Sequence, residues 1–287
     1  MKNNFVKVGL VVPKIKLGDS LSNAMEIVKI IEKDQKNAIL VFPELTITGY
    51  SLGDWFFNRE IIKNAELALK YIIEHNDHHT LIIGSILEFN SCLYDVAYVI
   101  QGKELIGIVP KFNLNSANEN KIFVDGYDFY ENTGEIYVLD KKVPMGKILF
   151  KTEDESLTFG VEVGSDNIDL PALNQELYYN GAEIVFNIAS DSFNIKKNDY
   201  NLTIAKNASL LGNAAYVYTS TGVTETSSDV LYPGMQIVAV NGKEIINQNS
   251  LDSYNSKITY ADIDLETIKY KRLQSKTKCG NNLGFRL

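Results

Sequence analysis

Strand-like and helix-like segments alternate along most of the chain, and this alternation is the strongest constraint on its fold. Residues 38–44, "AILVFPE", form a continuous apolar run that is typical of a strand buried on both faces. Residues 19–35 instead repeat apolar side chains at helical spacing, with Asp19 and Ser20 as candidate caps. Hairpin signals, such as Asn241-Gly242, add antiparallel strands. The pattern predicts one α/β domain with a mixed sheet, or two such sheets packed together.

Composition narrows the classes of partner. The 287 residues carry a net charge of −8 and a sequence pI near 5.1, which argues against binding to nucleic acid or to an anionic membrane surface. No stretch of about 18 apolar residues occurs, so we expect no membrane span. The N-terminus resembles a strand rather than a signal peptide. The two cysteines, Cys92 and Cys279, favour a cytoplasmic protein with free thiols.

Three predicted strands end at a polar or unusual residue. Glu44 follows "LVFP", Lys111 follows "GIVP", and the corner "GSD" at Gly164 follows "FGVEV". Residues at strand ends face clefts in α/β folds, although a single charge there is more often merely solvated. Residues 113–135 are polar and rich in Asn, and we interpret them as a long loop, a kind of segment that often carries function or mobility.

These segments together resemble the nitrilase, or carbon–nitrogen hydrolase, superfamily. "VFPELTITGYSLGD", "GIVPK" and "FGVEVGSD" match its three signature segments, and the similarity runs from about residue 5 to 272. The match is strongest to the glutaminase domains of glutamine-dependent NAD synthetases. The resemblance implies a four-layer α-β-β-α sandwich with two mixed sheets. It also implies a domain over residues 1–272, followed by a tail or truncated linker at 273–287 that we expect to be poorly ordered.

The chemistry of that family uses a Cys thiolate that attacks an amide carbon, a Glu general base and a Lys that stabilises the oxyanion. By position, Glu44 matches the base, Lys111 matches the lysine, and Glu119 matches a second glutamate that supports it. The family pattern Gly-Val-Glu-Ile-Cys-Glu-Asp aligns its Cys with Gly164. The resemblance therefore implies a site whose nucleophile is missing.

Other residues near the implied pocket also depart from the family. Ser165 replaces a Glu, the aromatic loop after the lysine has become "LNSANENKIF", and Asn201 stands where an Arg is expected. We take Ser165, Asp191 and Lys197 as candidate substrate-pocket residues. Ser165 is a poor substitute nucleophile, because an unactivated hydroxyl is far weaker than a thiolate.

The remaining reactive side chains suggest no further site. Cys92 is expected to be a structural thiol, and Cys279 an inert residue of the tail. The three histidines in "EHNDHH" lack a further ligand set, so no metal is predicted. No other cofactor is implied.

Two functions follow as alternatives. The first is a domain without thiol-dependent amide hydrolysis, serving a structural, assembly or ligand-binding role. The second is an active glutamine amidohydrolase that supplies ammonia for NAD synthesis through a substituted nucleophile. Expected partners are a small glutamine-like amide or carboxylate, a synthetase domain or subunit, and further copies of the chain. No synthetase nucleotide loop occurs in the sequence.

Overall fold

A computed structural model describes residues 4–36, 38–168, 172–227 and 229–276. The strands are β1 Phe5–Val12, β2 Ile39–Val41, β3 Thr80–Phe89, β4 Cys92–Gln101, β5 Glu104–Pro110, β6 Gly134–Val138, β7 Lys141–Met145, β8 Leu149–Lys151, β9 Thr158–Val163, β10 Ile184–Ala189, β11 Ala215–Ser220, β12 Gln236–Val240, β13 Lys243–Gln248 and β14 Lys257–Asp264. The α-helices are α1 Ser20–Lys33, α2 Arg59–Glu74, α3 Ala117–Ile122, α4 Leu173–Tyr179, α5 Lys197–Leu211 and α6 Leu265–Ser275.

The strands form two mixed sheets. The first sheet has the order β14-β1-β2-β3-β4-β5-β7-β6, and the second has the order β13-β12-β11-β10-β9-β8. Parallel pairs lie at the centre of each sheet, β1-β2-β3 in the first and β9-β10-β11 in the second. The prediction of two mixed sheets is confirmed.

Alternation along the strands explains the four layers. Val41 of β2 belongs to the core between the two sheets, whereas its neighbour Leu40 packs towards α1 and α2. The same alternation separates Ile82 from Ile83 in β3, because successive side chains point to opposite faces. Helices α4 and α5 cover the second sheet. The order is therefore helices, sheet, sheet, helices, as the resemblance implied.

The prediction of a continuous loop at 113–135 is wrong. The segment contains α3, a 3-10 turn at Tyr127–Phe129 and the first residues of β6. Helix α3 forms because Ser116 and Glu119 make a capping box, in which each side chain bonds the other residue's backbone N–H. The "SANE" pattern is the sequence signal for this start, and it was overlooked.

Other local predictions are confirmed. The Asn241-Gly242 hairpin joins β12 to β13, and both turn residues have positive φ, as a type I′ turn requires. Helix α6 reaches Ser275 and so includes the first residues of the predicted tail. Pro171, Cys279 and the expected disorder of residues 277–287 lie outside the described residues. No helix in the described ranges is long and apolar enough to cross a bilayer.

Candidate active site

Three strand ends bring Glu44, Lys111 and Gly164 together at one point. Lys111 Nζ donates to Glu44 Oε1 at 2.6 Å, and both side chains are buried. A Cβ atom placed on Gly164 would lie 2.7 Å from Lys111 Nζ and 2.9 Å from Glu44 Oε1. A side chain at position 164 would therefore point directly at the carboxylate–ammonium pair.

Glu119 completes the surroundings of the lysine. Lys111 Nζ donates to Glu119 Oε1 at 2.6 Å, and the Tyr50 hydroxyl donates to the same oxygen at 2.9 Å. The capping box of α3 holds the other end of this carboxylate, because Glu119 Oε2 accepts from Ser116 N at 3.3 Å. The sequence analysis missed Tyr50, although it follows Glu44 within the first signature segment.

The electrostatics of this cluster keep the lysine charged. Burial works against the ammonium, but the carboxylates of Glu44, Asp95 and Glu119 outweigh it and raise the pKa of Lys111 well above its usual value. Burial raises the pKa of Glu44, against the opposing attraction of Lys111. For Glu119, burial is outweighed by Lys111 and by hydrogen bonds, so its pKa is lowered. Lys111 and Glu119 thus form a stable ion pair.

The backbone at Gly164 is left-handed, with φ of 53°. This conformation turns strand β9 abruptly into the 3-10 turn at Gly164–Ile168. Non-glycine residues adopt such φ values at a cost, and they do so in strained strand-to-helix corners that present nucleophiles. The Gly164 carbonyl accepts from Asn187 Nδ2 at 3.1 Å, which fixes the corner from the neighbouring strand β10. Both the position and the backbone suit a reactive side chain that is absent.

Asp166 joins the corner to the segment after Lys111. Its buried carboxylate accepts from the N–H groups of Phe112 at 3.0 Å, Asn113 at 2.7 Å and Val163 at 3.1 Å. Burial raises the pKa of Asp166 to about 8, while the N–H donors favour the ionised form. This carboxylate fixes the distance between the lysine and position 164. It belongs to the third signature segment, but sequence reasoning gave it no role.

A second buried carboxylate supports the corner from within the sheet. Glu162 accepts from the Tyr216 hydroxyl and, at 3.1 Å, from Asn187 Nδ2. Burial raises the pKa of Glu162 to about 7. Asn187 thus bonds both Glu162 and the Gly164 carbonyl, so the β9 strand end is rigidly held.

The predicted substrate-pocket residues line the same cavity, but each already has a partner. The Ser165 hydroxyl donates to the Asn113 carbonyl at 2.6 Å. Asp191 forms an ion pair with Lys197 at 3.0 Å and accepts from Asn201 Nδ2 at 2.9 Å. Asn201 therefore supports Asp191 instead of presenting a charge to the cavity.

The cavity has a small inner part and a larger adjoining part. The inner part, about 70 Å³, is lined by Glu44, Lys111 and Gly164 among others. The adjoining cavity, about 500 Å³, shares Tyr50, Glu119, Ser190 and Asp191 with it and adds Phe56, Phe123, Val230 and Tyr232. An inner space of this size accommodates a group of a few heavy atoms, and the rest of a ligand would extend into the larger cavity.

The remaining candidates lie elsewhere. Cys92 begins β4, is partly buried, and carries a free thiol. The buried His79 lies 3.3 Å from Asp34, below α1. Within the described ranges, no group of three or more His, Cys, Asp or Glu side chains could hold a metal ion.

Comparisons with known proteins agree with this geometry. The sequence profile of the carbon–nitrogen hydrolase family matches residues 7–272. The glutamine-dependent NAD(+) synthetase of Mycobacterium leprae is 27% identical over 282 residues, which are 95% of this chain and 41% of that protein. The corresponding synthetase of Drosophila melanogaster is 22% identical over 261 residues. The chain thus spans about two fifths of the length of the first of these relatives.

Solved structures share the fold. A glutamine-dependent NAD(+) synthetase from Cytophaga hutchinsonii superposes with a TM-score of 0.78 and 23% identity, over 90% of this chain and 43% of that one. An amidase from Nesterenkonia sp. AN1 superposes with a TM-score of 0.73 and 13% identity, over 96% of this chain and 97% of its own. In that amidase, the acetamide moiety of fluoroacetamide is covalently added to the active-site cysteine.

Proposed function

Because the chain belongs to the carbon–nitrogen hydrolase family, we propose that it is a glutaminase-like domain that binds a small amide without cleaving it through a thioester. The observation that carries this proposal is the position of Gly164. A side chain there would point at Glu44 and Lys111, and the residue present has none. Without a nucleophilic side chain, no covalent acyl-enzyme can form at this position.

The remaining groups are suited to holding an amide. Lys111 and the buried carboxylates offer a donor for the amide oxygen and acceptors for its N–H groups, in a place largely shielded from water. The volume of the inner cavity matches the amide end of a ligand such as glutamine. The remainder of the ligand would lie beside Tyr50 and Asp191, where the two cavities meet.

A substituted nucleophile has little support. The Ser165 hydroxyl is the nearest alternative in sequence, but it donates its proton to a carbonyl oxygen of Asn113 rather than to a base. A serine without a base in hydrogen-bond reach is a weak nucleophile. The alternative of an active amidohydrolase would therefore need water activated directly by Glu44.

We also propose a cytoplasmic synthetase domain or subunit as the partner of this domain. The support is the partial coverage of the NAD(+) synthetases, 41% of the length of the Mycobacterium leprae protein. A mixture of this chain with a synthetase lacking its own glutaminase part would test the association by sedimentation. Co-sedimentation is expected, and independent sedimentation at micromolar concentration would contradict it.

Self-association is a further part of the proposal. Leu211 at the end of α5 is 68% exposed, and Leu273 of α6 is 77% exposed. Arg272 connects the two helices by donating to the Asn213 carbonyl at 3.1 Å. Exposed apolar groups of this kind favour contact with a second copy. Light scattering is expected to show a dimer or larger assembly, and a strict monomer would contradict it.

Binding and turnover are separable by experiment. Isothermal titration with glutamine and with small primary amides is expected to show binding that Glu44→Ala or Lys111→Ala abolishes. Ammonia release from the same ligands is expected to stay at background. Absence of binding by every amide tested would refute the ligand-binding role, even if turnover is also absent.

A further inference from the structure

Asp95 is a buried carboxyl group beside the site, and neither the family signatures nor the geometry above gives it a function. It lies on β4 and shares the face of Ala97 and Val99, which points towards the second sheet. Its side chain is 1% exposed. Its backbone carbonyl accepts from Lys111 N at 2.8 Å, so the strand connects it directly to the lysine.

The Asp95 side chain has no conventional hydrogen-bond donor. Among the described residues, no N–H or hydroxyl group donates to either of its carboxylate oxygens. Buried carboxylates normally accept several hydrogen bonds, as Asp166 does in this molecule. An ionised Asp95 would therefore be a buried charge without hydrogen bonds, which is strongly unfavourable.

The neighbour of Asp95 is itself a carboxyl group. The side chains of Asp95 and Glu44 lie within hydrogen-bonding reach of each other. Two carboxyl groups can hydrogen-bond only when one of them carries a proton, and adjacent buried carboxylates do not both ionise. The single ammonium of Lys111 is already bonded to Glu44 and to Glu119 at 2.6 Å. It cannot balance three negative charges.

We propose that Asp95 and Glu44 share one proton at neutral pH, and that Asp95 is a positioning residue which donates this proton to the Glu44 carboxylate. Glu44 then receives one hydrogen bond from Lys111 and one from Asp95. The carboxylate is held from two directions, facing position 164. Asp95 itself does not line the cavity, so its effect on a ligand is exerted through Glu44.

The charges around the pair support this assignment. Burial, followed by the charge of Glu44, raises the pKa of Asp95 well above its usual value, although Lys111 opposes the shift. Glu119 of α3 adds a further unfavourable negative charge, and the phenol of Tyr50 also faces the lysine. The two protons of the pair are coupled, so the titration belongs to the pair rather than to one residue.

The sign of the pH effect follows. A carboxyl whose folded-state pKa is raised stabilises the fold fully below its unfolded pKa, near 4. This contribution is lost as the pH rises towards the folded pKa of the pair. Asn at position 95 supplies N–H donors to Glu44 at every pH, so Asp95→Asn is expected to remove this part of the pH dependence.

The experiment measures the shared proton directly in the protein without ligand. Infrared difference spectra at pH 7 report protonated carboxyl groups through their C=O stretching band. Asp95→Asn and Glu44→Gln are each expected to remove the band of one carboxyl group, and the double variant is expected to remove no more than either single variant. Ser85→Ala, a buried polar side chain on the paired strand β3, is the control that leaves the band unchanged.

Several results would overturn the proposal. An unchanged band in Asp95→Asn would show that Asp95 is ionised, and twice the loss in the double variant would show two separate protons. If Asp95→Asn fails to fold, Glu44→Gln alone decides, because it must still remove the band. Urea midpoints between pH 5 and pH 9 give a second measure, and an unaltered pH slope in Asp95→Asn would also contradict the proposal. No amide is present, so failure here is distinct from failure of ligand binding.

Discussion

Position 164 has two separable constraints, the backbone conformation and the space beside it. Gly164→Ala is expected to destabilise the fold by about 2–4 kcal/mol, because a methyl group costs about 1–2 kcal/mol at positive φ and crowding costs about 1–2 kcal/mol more. The crowding partners are Lys111 Nζ and Glu44 Oε1. Urea unfolding of the purified variant measures the loss.

Gly53→Ala is the matched control for this substitution. Gly53 has φ of 54°, nearly that of Gly164, but no heavy atom lies within 4 Å of the Cβ position. It is expected to show the cost of the backbone alone. Equal losses in Gly53→Ala and Gly164→Ala would show that no side chain at position 164 meets the carboxylate–ammonium pair.

Asp166 provides a second prediction at the residue scale. Asp166→Ala leaves the N–H groups of Phe112, Asn113 and Val163 without their acceptor, at an expected cost of about 3 kcal/mol or more. It should also abolish amide binding, because the segment after Lys111 loses its attachment to the corner. Asp154→Ala, an exposed turn carboxylate, is the control. A loss no larger than that of the control would contradict this role.

At the scale of elements, α3 positions Glu119 through its capping box. Ser116→Ala is expected to cost about 1 kcal/mol of stability and to weaken amide binding, because Glu119 then loses a bond that orients it towards Lys111. Asp19→Ala removes the N-cap of the distant α1 at a similar cost in stability. Amide affinity that falls equally in both variants would show a general effect of destabilisation rather than positioning.

The same elements show which features a sequence reveals. The strand ends at Glu44, Lys111 and Gly164 could be predicted because each follows an apolar run and lies in a recognisable segment. The capping box of α3 was also visible, as "SANE", and was overlooked. Local patterns of this kind depend on residues close in sequence.

Contacts between distant segments were beyond the sequence. Tyr50 bonds Glu119 across 69 positions, and Asp166 bonds Phe112 across 54. The meeting of Asp95 with Glu44 likewise depends on the pairing of β2, β3 and β4 in one sheet. No single-sequence pattern specifies which strands become neighbours, so these supporting residues emerged only from the fold.

At the scale of the whole molecule, several carboxyl groups are buried with raised pKa values. Burial raises the pKa of Glu162 and of Glu225 to about 7 and that of Asp166 to about 8. Each stabilises the fold fully below the unfolded pKa of about 4 and loses this contribution as the pH rises to its folded value. The free energy of unfolding is therefore expected to fall between about pH 4 and pH 8.

Glu225→Gln tests this trend at one residue. Glu225 accepts from the backbone N–H groups of Tyr50 at 2.9 Å and Ser51 at 3.3 Å, and so holds the segment that carries Tyr50. A neutral Gln is expected to flatten the decline of stability with pH, measured by urea unfolding at intervals from pH 5 to pH 8. A slope that rises with pH in the wild-type protein would contradict the account.

The central claim is that the molecule keeps a carbon–nitrogen hydrolase site without its nucleophile, and ammonia release from glutamine tests it most directly. The unmodified protein is expected to release none above background. Gly164→Cys is expected to restore little, because the new side chain would be crowded by Lys111 and Glu44, and a misplacement of about 1 Å can cost a hundredfold in rate. Turnover by the unmodified protein that Glu44→Ala abolishes would contradict the claim.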